Sequence, residues 1–383
     1  QTVDIHGTAE VTFHDNTTVT GQTIDVAGAF VTIGAGTSLL TDGRGYAATA
    51  GPGAGNSSIT AAGGGGGHGG SGGNGGSGSA GGTFYDSALL PDDFGSGGGN
   101  GRRTEGGAGG GRILITSTGT VSLDGTLSAG GLSAASDPNG GTGGGGAGGT
   151  IRITTNTFSG SGLLKTNGGN GGADYTNAGN EEGRGGGGAG GRIVVRAKDH
   201  SLFTSKTDVQ AELGATGAGV GPAGGAGGRG TVAFITLDPS ADMTVDDTTA
   251  DDLELEIYRS WRWEPSGEPY NYQKVTIHPD TIVVAGSDAN LTTSELIMTD
   301  ATWDMTIDST NGGAASGNVN LTVEHATITN STIDVGNSHD WNVNATHSYT
   351  QTGGTLNAQT VDIHGTAEVT FHDNTTVTGQ TID

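Results

Sequence analysis

The chain has 383 residues, of which 79 are Gly, 8 are Pro and none is Cys, and its formal charge is −25. The missing Cys excludes a disulfide framework and a thiolate metal site, and the irregular glycine register with so little Pro excludes collagen. So acidic a surface repels nucleic acid and anionic membranes, which need basic patches, and no apolar run is long enough to span a bilayer.

The chain opens with QTVDIHGTAEVTFHDNTTVTGQTID at 1–25, and the same 25 letters return without a mismatch at 359–383. Self-similarity of this kind points to a tandem array. The expectation is a 358-residue unit whose successor begins at 359, with the bland alternative that the second copy is an artefact. A secretory leader is not visible, and a segment from inside an array would not carry one. Residues 1–60 are rich in Val, Ile and Thr, alternate, and are broken by Gly, Asn and Asp, which is strand and turn chemistry. Rungs are expected about every 20 residues.

Residues 61–237 form a glycine-rich block with its own sub-repeat. GGAGGGRILI starts at 106, GGGAGGTIRI at 144, GGGAGGRIVV at 186 and GGAGGRGTVAFI at 224. Each glycine run feeds a short strand. In GGHGGSGGNGGSGSA (66–80) the glycines have period three, with His68, Ser71, Asn74, Ser77 and Ala80 expected on one line. Period three is that of an extended left-handed helix without internal hydrogen bonds. Its N–H and C=O groups then need partners on neighbouring chains, and only Gly permits the approach. Arg112, Arg152 and Arg192 stand near equivalent strand starts. They are either a ladder with carboxylates or carbonyls interleaved, or solvated edge residues.

Residues 238–274 fit neither pattern and read as an acidic and aromatic insertion. Asp246, Asp247, Asp251 and Asp252 are candidate Ca²⁺ ligands, since a hard cation takes clustered carboxylates. Their spacing matches no EF-hand, and a solvated acidic loop is the alternative. Tyr258, Trp261, Trp263, Tyr270 and Tyr272 concentrate the chain's aromatics. They suit a packing or interface role, or stacking on glycans. Rungs resume over 275–358 and run into the repeated 359–383.

Sequons at Asn16, Asn56, Asn290, Asn320, Asn330 and Asn344 permit glycosylation in a secreted protein. His6, His14, His325, His339 and His347 lie in or near rungs and are expected to be spacers rather than ligands. The GxSxG at 69–73 and several GxGxxG matches arise from glycine runs and lack a strand–turn–helix context. No catalytic residue is assigned, and the chain is expected not to be an enzyme. Thr327, Thr329 and Thr332 raise an ice-binding alternative.

The GGAGGRI-type runs feeding β-rungs resemble the glycine-rich solenoid repeats of large bacterial surface and extracellular filament proteins. The glycine excursions are similar to the polyglycine-II helices of certain phage tail-fibre adhesins and glycine-rich antifreeze proteins. The resemblance covers about 61–232 and carries no catalytic residues. Together these features predict an all-β parallel solenoid with polyglycine-II excursions and almost no α-helix. The expected role is a structural repeat of an extracellular fibre or cell-surface stalk. Its expected partners are copies of itself, with extracellular polysaccharide as a further candidate, and calcium is the one candidate cofactor.

Overall fold

In the computed structural model the described residues are 1–175, 182–238, 253–263, 271–285, 289–305, 318–336, 338–366, 368–372 and 374–382. They form β-strands and one 3-10 turn, Lys206–Asp208, with no α-helix among them. The strands pair in parallel. Two compact units are present, one over Gln1–Val232 and the other chiefly over Asp247–Asp308 and Gly312–Asp383.

In the first unit the chain runs through three short strands, returns, and lays the next three alongside. One column is Thr2–His6, Thr23–Gly28, Arg112–Ser117, Thr150–Gly160 and Arg192–Asp199. A second is Glu10–Phe13, Phe30–Ile33, Thr120–Leu123 and the far half of Thr150–Gly160. A third is Thr18–Thr20, Ser38–Leu40, Thr126–Ser128 and Leu163–Lys165. Alternation decides which face turns inward. Ile24, Ile113, Ile151 and Ile193 stack in one inward row, Val31 and Val121 in another, and Leu39, Leu127 and Leu164 in a third, all fully buried.

The glycine segments leave after the third strand and return before the first. Residues 41–111, 129–149, and 166–175 with 182–191, are such excursions. The last strand before the first of them ends at Leu40, so the rung region stops short of residue 60. Residues 41–60 hydrogen-bond into the glycine segments instead, for example Gly45 N to Gly109 O at 2.7 Å and Gly55 N to Gly97 O at 3.1 Å. Successive N–H groups point to different neighbours: Gly65 to Gly73, Gly66 to Gly145 and Gly67 to Gly53, all at 2.8–2.9 Å. An extended helix of three residues per turn would direct its N–H groups in this way. At the closest approaches the packing leaves no room for a side chain: a Cβ on Gly65 would lie 1.9 Å from the Gly187 carbonyl oxygen. His68 and Ser71 sit inside this bundle, while Asn74 is half-buried and Ser77 exposed. Gly78, at φ +101°, turns the chain back there, so Ala80 lies on the return segment and off the predicted line.

The second unit is plainer. Glu254–Tyr258, Asn271–Ile277, Ala289–Thr299, Val319–Thr329 and Trp341–Thr352 pair in sequence. Ser260–Trp263, Ile282–Ala285, Thr302–Asp304, Thr332–Gly336 and Thr355–Ala358 form the neighbouring column. Within the stretch read as an insertion, 238–274, the described residues form the strands Glu254–Tyr258 and Ser260–Trp263 and the start of Asn271–Ile277. Leu255 and Ile257 alternate inward like any rung; the Arg and Trp letters next to them hide the period.

Candidate functional site

The two copies of the repeated segment occupy opposite settings. The first copy pairs with the rung on its C-terminal side: Thr2–His6 with Thr23–Gly28, Glu10–Phe13 with Phe30–Ile33, and Thr18–Thr20 with Ser38–Leu40. The second pairs with the rung on its N-terminal side: Thr360–Gly365 and Glu368–His372 with Trp341–Thr352, and Thr376–Thr378 with Thr355–Ala358. Burial tracks the covered side. Phe13, beside Ile33, is 7% exposed, whereas its counterpart Phe371 is 40% exposed. Val361, beside Trp341, is 1% exposed, whereas its counterpart Val3 is only half-buried. One amino-acid sequence therefore presents two complementary half-covered rungs.

The candidate aromatics are mostly core. Trp261 is 1% exposed, and Tyr258 and Tyr272 are buried. Tyr258 stacks on His278 with ring centroids 4.0 Å apart, meets Phe234 edge-on, and donates to Glu256 Oε2 at 2.8 Å. Burial, then the Glu256 carboxylate, pushes the Tyr258 hydroxyl far above its usual range. These rings favour the packing role over a solvent-facing platform for sugars. Trp263 lies on the Ser260–Trp263 strand, and Tyr270 falls outside the described residues. Asp246, Asp247, Asp251 and Asp252 also lie outside them. Among the described residues no three His, Cys, Asp or Glu converge as a metal site.

The arginines find interleaved partners. Arg112 and Arg192 share a register position with Thr150 between them, and Arg152 lies two residues along. All three reach the segment 83–94. Arg112 Nη1 is 3.1 Å and Arg152 Nη2 3.9 Å from the Asp92 carboxylate, and Arg192 Nη2 donates to the Tyr85 carbonyl at 2.7 Å. Thr150 Oγ1 donates to the Asp93 carbonyl at 2.8 Å. Asp86 anchors the same segment by accepting the Asp92 and Asp93 N–H groups at 3.0 and 2.9 Å. It faces His68 Nε2 at 3.3 Å, while His68 Nδ1 donates to the Gly148 carbonyl at 2.8 Å. Burial works to raise the Asp86 carboxyl, but the His68 hydrogen bond and charge outweigh it and hold the group below the usual carboxylate range. Sequence reasoning misses this clasp. Its only signal is a polar, aromatic stretch, TFYDSALLPDDF, between glycine runs.

Asn290, Asn320 and Asn342 form a ladder. Asn320 Nδ2 donates to Asn290 Oδ1 and Asn342 Nδ2 to Asn320 Oδ1, both at 2.9 Å. The Asn320 amide is thus engaged, whereas Asn16, Asn56, Asn330 and Asn344 are exposed. His6 lies 3.0 Å from Asp4 and 3.4 Å from Asp25. His325 packs against His347 with ring centroids 5.0 Å apart and tilted, and lies 3.0 Å from Ser348 Oγ; His14 is exposed and His339 is half-buried. Thr327 and Thr329 share a strand, but Thr332 opens the next one, in a separate column with Thr302, Thr355 and Thr376. Comparison with family models, with curated proteins and with solved structures finds no match.

Proposed function

We propose that the chain is a structural repeat: a parallel β-solenoid with polyglycine-II helices that builds an extracellular fibre or surface stalk by end-to-end stacking of rungs. The observation that carries this is that one sequence pairs with the rung after it in its first copy and with the rung before it in its second. Setting 1–25 on a rung like 341–358, as 359–383 already sits, would cover the side on which Val3 is half-exposed. Laying a rung like 23–40 on 359–383 would cover Phe371, as Ile33 covers Phe13. Unpaired strand edges normally invite uncontrolled association; here pairing at the edge is the purpose. Parallel stacking and three strands per turn support the solenoid, and N–H groups directed to three different neighbours support polyglycine II.

The role is mechanical, with no catalytic step, and load passes through hydrogen-bonded ladders. A single continuous column of ten to twelve rungs at about 4.8 Å would predict an axial repeat of roughly 50–60 Å for each 358-residue repeat. The first experiment is the mass of the fully denatured native polypeptide. A mass far above 37.6 kDa supports a covalent array. A mass near that value, together with sedimentation as a monomer at high concentration, sinks the polymer. Diffraction from aligned fibres then checks the axial repeat.

A further inference from the structure

Tyr258, Trp261 and Tyr272 keep their rings inside, yet the second unit has an open groove along its long strands. There Tyr272, Thr293 and Val323 stand in register on three successive strands, all buried, and form a floor. Thr292 and Thr322 stack beside the floor as one ridge, and Ser294, Glu324 and Thr346 line the other side. The space within this open groove is about 340 Å³, at the low end of small-ligand clefts, roughly 300–1,000 Å³.

The ridge is pre-set by the asparagine ladder. Asn290 and Asn320 are hydrogen-bonded across the rungs two residues before Thr292 and Thr322. Their threonines share that register, so two hydroxyls project one rung apart, about 4.8 Å, close to the length of one pyranose ring. A hydroxyl both donates and accepts, while an ionised Glu accepts only. The lining therefore asks for a ligand that offers donors and acceptors together at each step and brings no negative charge. Lys and Arg are absent from the lining, and Lys274, on the neighbouring strand, is paired with Glu295 at 3.0 Å. Phosphates and uronic acids would face Glu324 without a compensating cation.

We infer that this groove binds a neutral oligosaccharide, its chain lying along the rung stack with one sugar to a rung. Thr292 and Thr322 grip successive residues, and Glu324 accepts a hydrogen bond from a hydroxyl on the sugar edge. Thr346 alone of the lining stands on the strand that the repeated segment pairs with, and the other seven residues lie on the strands before it, so sugar binding by the single chain is measured separately from self-association.

The test uses the full chain with cellotriose, maltotriose, chitotriose and trigalacturonate, titrated calorimetrically and followed by saturation-transfer NMR. At least one neutral trisaccharide is expected to bind, and trigalacturonate to bind at least tenfold more weakly. Thr292→Val with Thr322→Val keeps the shape and removes two hydroxyls, and should weaken binding roughly tenfold or more. If that pair loses the far-UV spectrum of the wild type, Ser294→Trp, which fills the groove from its rim, replaces it. Any of three results overturns the assignment: no neutral trisaccharide binding tighter than about 10 mM, trigalacturonate binding as well as the neutral sugars, or affinity unchanged by the groove variants.

Discussion

Gly65→Ala puts the glycine packing to its hardest test. The new Cβ would lie 1.9 Å from the Gly187 carbonyl oxygen and 2.4 Å from its carbon, where ordinary contact begins near 3.4 Å. The obstacle is backbone, so no rotamer relieves it. The Gly187 carbonyl accepts the Gly73 N–H at 2.8 Å, and the Gly73 carbonyl accepts the Gly65 N–H at 2.8 Å. Pushing Gly187 away therefore strains this chain of bonds across three segments. Overpacking costs about 1–3 kcal/mol, and each buried backbone group left unpaired costs about 1–3 kcal/mol. With one such group the loss is roughly 2–6 kcal/mol. The lower chain entropy of Ala in the unfolded state returns only about 0.4–1 kcal/mol. Urea unfolding followed by far-UV circular dichroism measures it. All four Trp lie at 261, 263, 303 and 341, so indole fluorescence reports the second unit alone and separates the two transitions. Gly225→Ala is the control, because its Cβ would meet nothing closer than the Asn74 nitrogen at 3.2 Å. If Gly65→Ala and Gly225→Ala both unfold within about 0.5 kcal/mol of the wild type, the bundle is not packed as described.

The geometry sets two further outcomes. Phe13→Ala should cost about 3–5 kcal/mol, the usual range for a buried Phe, whereas Phe371→Ala should cost the single chain about 1 kcal/mol or less. The same Phe371→Ala should still weaken self-association in sedimentation velocity, and equal stability losses at the two positions would contradict the half-covered rungs. Asp86 gives a pH dependence. Its folded carboxyl titrates below the unfolded value, so its contribution is fully present above the ordinary Asp range, near 3.9, and is lost as pH falls through the lower folded value. Asp86→Asn should therefore lower the melting temperature at neutral pH and flatten its fall below about pH 4. Parallel wild-type and variant curves across roughly pH 2–7 would remove Asp86 from the clasp.

Strand content, parallel stacking and the glycine packing are legible because each writes a period into the letters. VDIHGTAEVTF alternates, and GGHGGSGGN repeats by threes. The rung at 254–263 is hidden because Glu254 and Glu256 alternate with its buried residues and Arg and Trp letters come next, so it reads as an acidic and then an aromatic patch. Burial of Trp261 depends on which strand lies beside it, and a period does not tell that. Residues 83–94 are opaque for the same reason. Arg112, Arg152 and Arg192 look like a ladder that would repel itself, and only the fold brings Asp92 and the Tyr85 carbonyl, from a distant part of the chain, between them. The asparagine ladder is partly visible: Asn290 and Asn320 read as sequons, and register turns them into a packing device.

Strands and glycine segments share one unit because they demand the same spacing and opposite side chains. A rung needs large residues inward every second position, while a glycine segment needs none at the packed positions. Alternating them along the chain lets one register serve both. Excursions at 41–111, 129–149, and 166–175 with 182–191, differ widely in length, yet Thr23 still meets Arg112, and Thr150 meets Arg112 and Arg192, in register. The strand column thus tolerates any excursion that leaves after the third strand and returns before the first. The glycine segments carry the opposite constraint: each N–H must find a carbonyl on a neighbouring segment, so no excursion changes without its neighbours. Length variation is therefore expected in whole rungs with their excursions, and substitutions are expected to be tolerated on the outward strand positions rather than in the bundle.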